Sequence, residues 1–340
     1  MARSRVGALA VVLALVLASG AHAQGARPTG LTKVRAAVLP FLSYAPFFIA
    51  TDEGYFAQQG LDVEFVRFTR SADAVVALVQ GQIDVAGSIM TVNMLSAVAR
   101  HARLKIVASR SHVAPAGCVY TALVARRALL ERRGWGDPAQ LNGLRIAMSE
   151  VNLEGLYVEK RLQPAGLTLR DVRMQELPDP AMPGALEKDA VDVVATSEPW
   201  LTRLVQSGHG AVWMPVQRLV PDSEFGLLLY GTTFLDKDPD AGKRFVTAYL
   251  KAVRQYSQGK TERNLEIVAR HTKLDLPLLR DACWPPFRET GQINTQSVLE
   301  FQAWALRRGL VERTLGADDF WDSRFVEHAN RVLGPAGPAR

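Results

Sequence analysis

From residue 34 to residue 90 the apolar positions alternate between short continuous runs and helical spacings. Residues 34–39 form the apolar run of a buried strand, and Pro46 stands where a helix tolerates a missing N–H, with Gly60 just past that helix. Residues 61–68 alternate as a strand does. Residues 69–71 then offer hydroxyl caps, and Ala72, Val75, Val76 and Val79 recur at i, i+3, i+4, i+7, which predicts a helix buried on that face and closed by Gly81. Residues 83–86 read as a third strand, after which Gly87, Ser88 and Thr91 lead into a helix to about Arg100. The order βαβαβα calls for right-handed crossovers between parallel strands, so loops 40–45, 69–72 and 87–91 are expected at one carboxyl edge of one sheet. Ligands bind at such edges.

Further strands are predicted at 104–109 and 118–125, then a helix at 126–133 and a loop at 134–138. The opening pattern begins again after that: strand 144–148, a loop with capping residues at 149–152, helix 153–163 stopped by Pro164 and Gly166, strand 171–177, helix 182–188 and strand 191–195. Gly60-Leu61 finds a counterpart in Gly166-Leu167, and Ile83-Asp84-Val85 in Val191-Asp192-Val193. Two α/β lobes of like topology leave such a trace. Strands at 211–216 and 225–230 follow, and everything after Asp238 reads as helix, with Phe245, Tyr249, Val253 and Tyr256 on one face. This block is expected to cover a sheet, and residues 335–340 to form a flexible tail. The fold class predicted is α/β, two doubly wound lobes around a cleft with a helical C-terminal cover.

Composition adds compartment and exclusions. The chain has 340 residues, 48% of them hydrophobic, with mean hydropathy near zero, enough for two globular domains. Arg3 and Arg5, an apolar run over 6–18 and Ala21-His22-Ala23 read as a secretory signal over residues 1–23, the run being too short for a membrane span. No Cys follows that cleavage site, so a lipid anchor is not expected. The formal charge of +6 comes from scattered basic residues, which argues against nucleic acid as a partner and leaves a mild field favouring anions. The spacing of Cys118 and Cys283 does not decide their state: an oxidising compartment would let them pair, and two ordinary buried thiols are the expectation. Six isolated histidines, with no HExxH, GxSxG or phosphate-loop motif, give no basis for an enzyme, a metal or a cofactor.

Four segments carry a resemblance: Ala45-Pro46-Phe47-Phe48-Ile49-Ala50 with Glu53-Gly54-Tyr55-Phe56, Gln59-Gly60-Leu61-Asp62-Val63, Gln80-Gly81-Gln82-Ile83-Asp84-Val85-Ala86, and Glu198-Pro199-Trp200. In that order they resemble the periplasmic solute-binding proteins of nitrate, sulfonate and taurine ABC importers, which share the type II periplasmic binding fold with the thiamine-pyrimidine precursor group. The resemblance covers about residues 31–333. It implies a first lobe of 31–118 plus 232–334, a second of 119–231, and crossover strands near 119–124 and 225–231. It further implies a periplasmic, monomeric receptor that closes on a small organic anion (alkanesulfonate, taurine or aromatic carboxylate) and delivers it to an inner-membrane ABC permease. A thiamine-pyrimidine precursor binder, or a pyrimidine-synthase-like enzyme on the same scaffold, is the alternative; the synthases carry a Cys-rich iron motif that this chain lacks.

Candidate ligand residues follow from the loops. Tyr44, Ser71, Ser88 and Thr91 in the first half, and Ser149 and Asn152 in the second, sit at helix N-termini, where free N–H groups suit anions and where plain capping is the competing role. Arg70 stands where the family often has a small residue. Its guanidinium is suited to a carboxylate or sulfonate, or to a nearby acid of the protein. In the Glu198-Pro199-Trp200 turn, Trp200 offers a face for an organic body, while Glu198 either accepts from an amino group or braces the hinge. Glu150 would oppose an anion if it pointed inward.

Overall fold

The computed structural model describes residues 30–133, 141–148 and 152–336. The expected signal segment, the loop 134–138, Ser149 and Glu150 lie outside the described residues.

Two five-stranded mixed sheets are built on one plan. The first contains β1 (Thr32–Val38), β2 (Leu61–Arg67), β3 (Val85–Ile89), β4 (Lys105–His112) and β10 (Glu224–Tyr230), in the order β2-β1-β3-β10-β4. The second contains β5 (Thr121–Arg126), β6 (Arg145–Ala147), β7 (Arg173–Gln175), β8 (Val193–Ser197) and β9 (Gly210–Pro215), in the order β7-β6-β8-β5-β9. In each, three strands run parallel and the strand beside them runs antiparallel: β10 against β3, and β5 against β8. The sequence echo around Asp84 and Asp192 has a physical cause within this plan. Asp84 Oδ2 accepts from the Arg35 backbone N–H at 2.9 Å and from Arg35 Nε at 3.2 Å; Asp192 Oδ2 accepts from the Arg145 N–H at 2.9 Å and from Arg145 Nε at 3.0 Å. Each carboxylate ties the start of one parallel strand to the start of its neighbour. Burial works to raise Asp192, but the Arg145 and Arg126 side chains and the Arg145 N–H outweigh it and hold the carboxyl at about 2.

Three local expectations change. Gly54 at φ 69° ends α1 (Ala45–Asp52) and starts the short α2 (Tyr55–Gln58), so one expected helix is two. Helix α3 (Ser71–Val79) buries Ser71, Ala74, Val75 and Leu78, while Val76 and Val79 are 48% and 45% exposed. The expected face was out of phase, because the side packed on β3 begins at Ser71 rather than Ala72. Strand β3 runs on to Ile89, placing Gly87 and Ser88 inside the sheet, since Leu228 and Leu227 of β10 pair with them. No local pattern carries a partner that distant in sequence.

The helical C-terminal block covers the first sheet as expected. Helix α9 (Pro239–Tyr256) buries Phe245, Tyr249, Val253 and Tyr256 in a core shared with Phe47 and Phe48 of α1 and with Phe325 and Val326 of a terminal helix, Arg324–Leu333. The chain passes between the sheets twice, at 113–120 and at 216–223, and the two connectors lie side by side: the Val113 N–H donates to Ser223 O at 2.7 Å and the Asp222 N–H to Val113 O at 2.7 Å. The residues near 225–231, drawn as a crossover from the resemblance, belong to β10, paired on both sides within the first sheet. Cys118 and Cys283 are not separate thiols. They form a disulfide between the first connector and the helical block, with Cα atoms 5.7 Å apart. Among the described residues no helix is long and apolar enough to cross a membrane.

Candidate functional site

The parallel strands of both sheets end at one cavity of about 480 Å³. From the first sheet come Leu39 and Phe41 after β1, residues 69–72 after β2, and Thr91 and Asn93 after β3; from the second come Met148, Asn152 and Glu154 after β6, residues 176–179 after β7, and Ser197 at the end of β8. Phe225 of β10 and Met182 add apolar wall. The volume suits a small organic molecule.

Four predicted residues are brought together here. Thr91 caps α4 (Val92–Ala99), its Oγ1 accepting from the Met94 N–H at 3.2 Å, and Asn152 caps α6 (Leu153–Leu162), its Oδ1 accepting from the Glu154 N–H at 3.0 Å. The two caps also meet each other, in an isolated antiparallel backbone bridge across the cleft. Ser71 Oγ accepts from the Ile89 N–H at 3.2 Å, which fixes the start of α3 against β3. Arg70 sits in extended backbone just before α3, and its guanidinium pairs with Glu176 on the opposite wall.

The other candidates are engaged elsewhere. Tyr44 is fully buried, its hydroxyl donating to Gly87 O at 2.9 Å and its ring lying 4.0 Å from the Arg110 guanidinium. Arg110 also donates to the Ser88 carbonyl at 3.1 Å, and the Ser88 hydroxyl donates to Ile89 O at 2.7 Å, so both form part of the packing within the first sheet. Glu198 is buried and accepts from Thr202 N–H (3.1 Å), Thr202 Oγ1 (2.7 Å) and Cys283 N–H (3.0 Å), a bracing arrangement beside the disulfide. Trp200 opens the helix Trp200–Gln206 with Arg203 5.0 Å from its ring and does not line the cleft.

The sequence pattern of the NMT1-like family matches residues 27–271. The chain belongs to the NMT1-like family. A search of curated proteins returns no match. Among solved structures, the chain is similar to the ligand-binding component of an ABC-type import system from Staphylococcus aureus (18% identity, 88% of this chain and 99% of that one, TM-score 0.73). It is also similar to the periplasmic nitrate-binding protein NrtA from Synechocystis PCC 6803 (17%, 91% and 92%, 0.73) and to the alkanesulfonate-binding protein SsuA from Xanthomonas axonopodis pv. citri (19%, 87% and 99%, 0.70). The desulfurization enzyme DSZB shares the fold at 12% identity, over 89% of this chain and 99% of that one, with a TM-score of 0.62. At such identities the likeness speaks for the fold, which is that of the type II periplasmic binding proteins.

Sequence reasoning missed the acids of this NMT1-like cleft. Glu154, Glu176 and Asp179 all line it, against one guanidinium, Arg70. An acid in the first turn of a helix reads as a partner of the helix dipole, so Glu154 gave no signal as a wall residue. Burial pushes its carboxyl up to about 8, with the charge of Asp179 adding to the effect, and burial pushes Asp179 up to about 6 against the hydrogen bond from Thr196 Oγ1 at 2.8 Å. Among the described residues no group of side chains is arranged to hold a metal.

Arg70 and Glu176 are each about half exposed, so Arg70→Ala and Glu176→Ala are expected to change folding stability by less than about 1 kcal/mol. Because either change removes the same pair across the cleft, both are expected to raise the radius of gyration of the ligand-free protein equally in small-angle scattering. A loss of solute affinity confined to Arg70→Ala would instead put the guanidinium on the solute.

Proposed function

We propose that this protein is the solute-binding component of an ABC importer: a periplasmic, monomeric receptor whose two lobes close on a small organic molecule and present it to a membrane permease. The observation that carries the reading is the convergence of three parallel-strand ends from each sheet on one cavity, with the two connectors between the sheets lying side by side. In this reading residues 31–118 and 232–334 form one lobe and 119–231 the other, apart from β10, which works with the first. Type II periplasmic binding proteins with ABC-importer names are the structural neighbours that support it.

Alkanesulfonates, taurine and aromatic carboxylates are the anions that the family resemblance brings forward. Arg70, the hydroxyls of Ser71 and Thr91 and the Asn152 amide are the groups that would meet them. The three acids on the wall weigh against a solute that is only an anion. An enzyme on the same scaffold is the competing reading. Both cysteines lie in the disulfide, which leaves no thiol nucleophile.

The test is titration calorimetry of the mature protein against sulfonates, carboxylates and amines, with mass spectrometry of the incubated solutes. Saturable one-to-one binding, a smaller radius of gyration on binding and unchanged solute are expected. Turnover of any solute would overturn the receptor reading.

A further inference from the structure

Glu154 lies in the first turn after the Asn152 cap, and its Oε2 is buried in the wall of the cleft. Its Oε2 has no hydrogen-bond partner among the described residues. Asp179 stands on the same wall, at the first residue of the turn Asp179–Ala181, with one oxygen held by Thr196. Neither acid has an ion-pair partner among the described residues. A buried carboxyl oxygen left without a donor is unfavourable, and the open side of this pair is the cavity itself. With both carboxyls ionised, N–H or O–H groups of a solute supply what is missing there, and an anionic group is repelled.

We propose that this wall of the cleft receives a protonated amine or amidinium group of the solute, which donates hydrogen bonds to Glu154 and Asp179. The proposal deepens the receptor reading and rests on it. Among the described residues, the other titratable groups facing the pair are Tyr157, one turn further along the same helix with its buried hydroxyl unpartnered, and Glu176, which Arg70 neutralises from the opposite wall. With Glu154 near 8 and Asp179 near 6, the ligand-free pair at neutral pH carries a proton on Glu154 and a charge on Asp179. A cation favours both carboxyls ionised, so its binding displaces the Glu154 proton to solvent: one cation in, one proton out. Affinity for it therefore rises with pH up to about 8, approaching tenfold per unit while Glu154 is protonated. For an anion held by the same pair the slope has the opposite sign.

The experiment uses the whole mature protein and pairs of probes sharing one carbon skeleton: benzamidine with benzoate, benzylamine with phenylmethanesulfonate, butylamine with butyrate. The nitrogen members are expected to raise the melting temperature, and the best of them to bind about tenfold tighter at pH 7.5 than at pH 6.5. It should release close to one proton at pH 7, read by calorimetry in two buffers of different ionisation heat. Glu154→Gln, which replaces a protonated acid by an amide of the same shape, should abolish the proton release and weaken binding at least tenfold. Asp179→Asn should weaken binding similarly while leaving the protein folded by circular dichroism. Binding by the acid members alone overturns this proposal and leaves the receptor reading standing; no binding by any probe overturns both. Amine binding that ignores pH and both substitutions places the amine elsewhere and also overturns it.

Discussion

Replacing Cys118 and Cys283 together by alanine is expected to lower the unfolding free energy by about 3–5 kcal/mol, the range for a cross-link that closes a long stretch of chain. The two residues are 165 positions apart, so their bond removes many conformations from the unfolded ensemble and few from the folded one. Cys283 keeps its backbone bond to Glu198 in the variant, and both side chains are replaced by a smaller residue of similar burial preference. The loss is therefore assigned to the cross-link. Urea denaturation of wild type and double variant measures it, and wild type with reductant should follow the variant. Equal midpoints and slopes in all three would mean that the bond contributes nothing to stability.

Glu224→Ala is expected to cost a similar amount, about 3–5 kcal/mol, because it strands buried donors rather than removing an isolated contact. Glu224 is fully buried at the start of β10, where Ser109 Oγ donates to it at 2.7 Å, the Asn294 N–H at 2.9 Å and Arg288 Nε at 3.0 Å. Burial alone would push its carboxyl up, and those donors together with the Arg288 charge hold it back without cancelling the shift. Removing the side chain leaves Arg288, among the described residues, with only Asp222 for an ion pair and leaves the Asn294 and Ser109 groups without their acceptor. Glu224→Gln keeps the shape and one acceptor oxygen, so it should fall between wild type and alanine. Equal stability of all three would show that water enters and replaces the carboxylate.

The parts of this fold legible in the sequence are those that local spacing dictates. The βαβαβ order and the capping roles of Thr91 and Asn152 are set by residues within one or two turns of each other, whereas the echo of Asp84 in Asp192 was visible but its cause, Arg35 and Arg145, lies in a neighbouring strand. The parts that escaped depend on distant partners. Ser88 reads as a loop hydroxyl until β10 is placed beside it, and Tyr44 reads as a loop aromatic until Arg110 covers its ring. The cleft acids were missed for a related reason: what makes Glu154 unusual is the apolar and acidic wall around it, which is assembled from separate strand ends. Arg70 was legible as a cation at a strand end, suited to a ligand or to a nearby acid, and its partner Glu176 was not.

The paired connectors carry a mechanical consequence. Two connectors joined to each other through Val113, Asp222 and Ser223 share one line, and bending both about that line leaves their mutual hydrogen bonds intact. Twisting or sliding one sheet body against the other would shear those bonds and strain the cross-link at Cys118. For the proposed receptor, the motion these bonds leave free is therefore a single rotation, that of a door on its jamb.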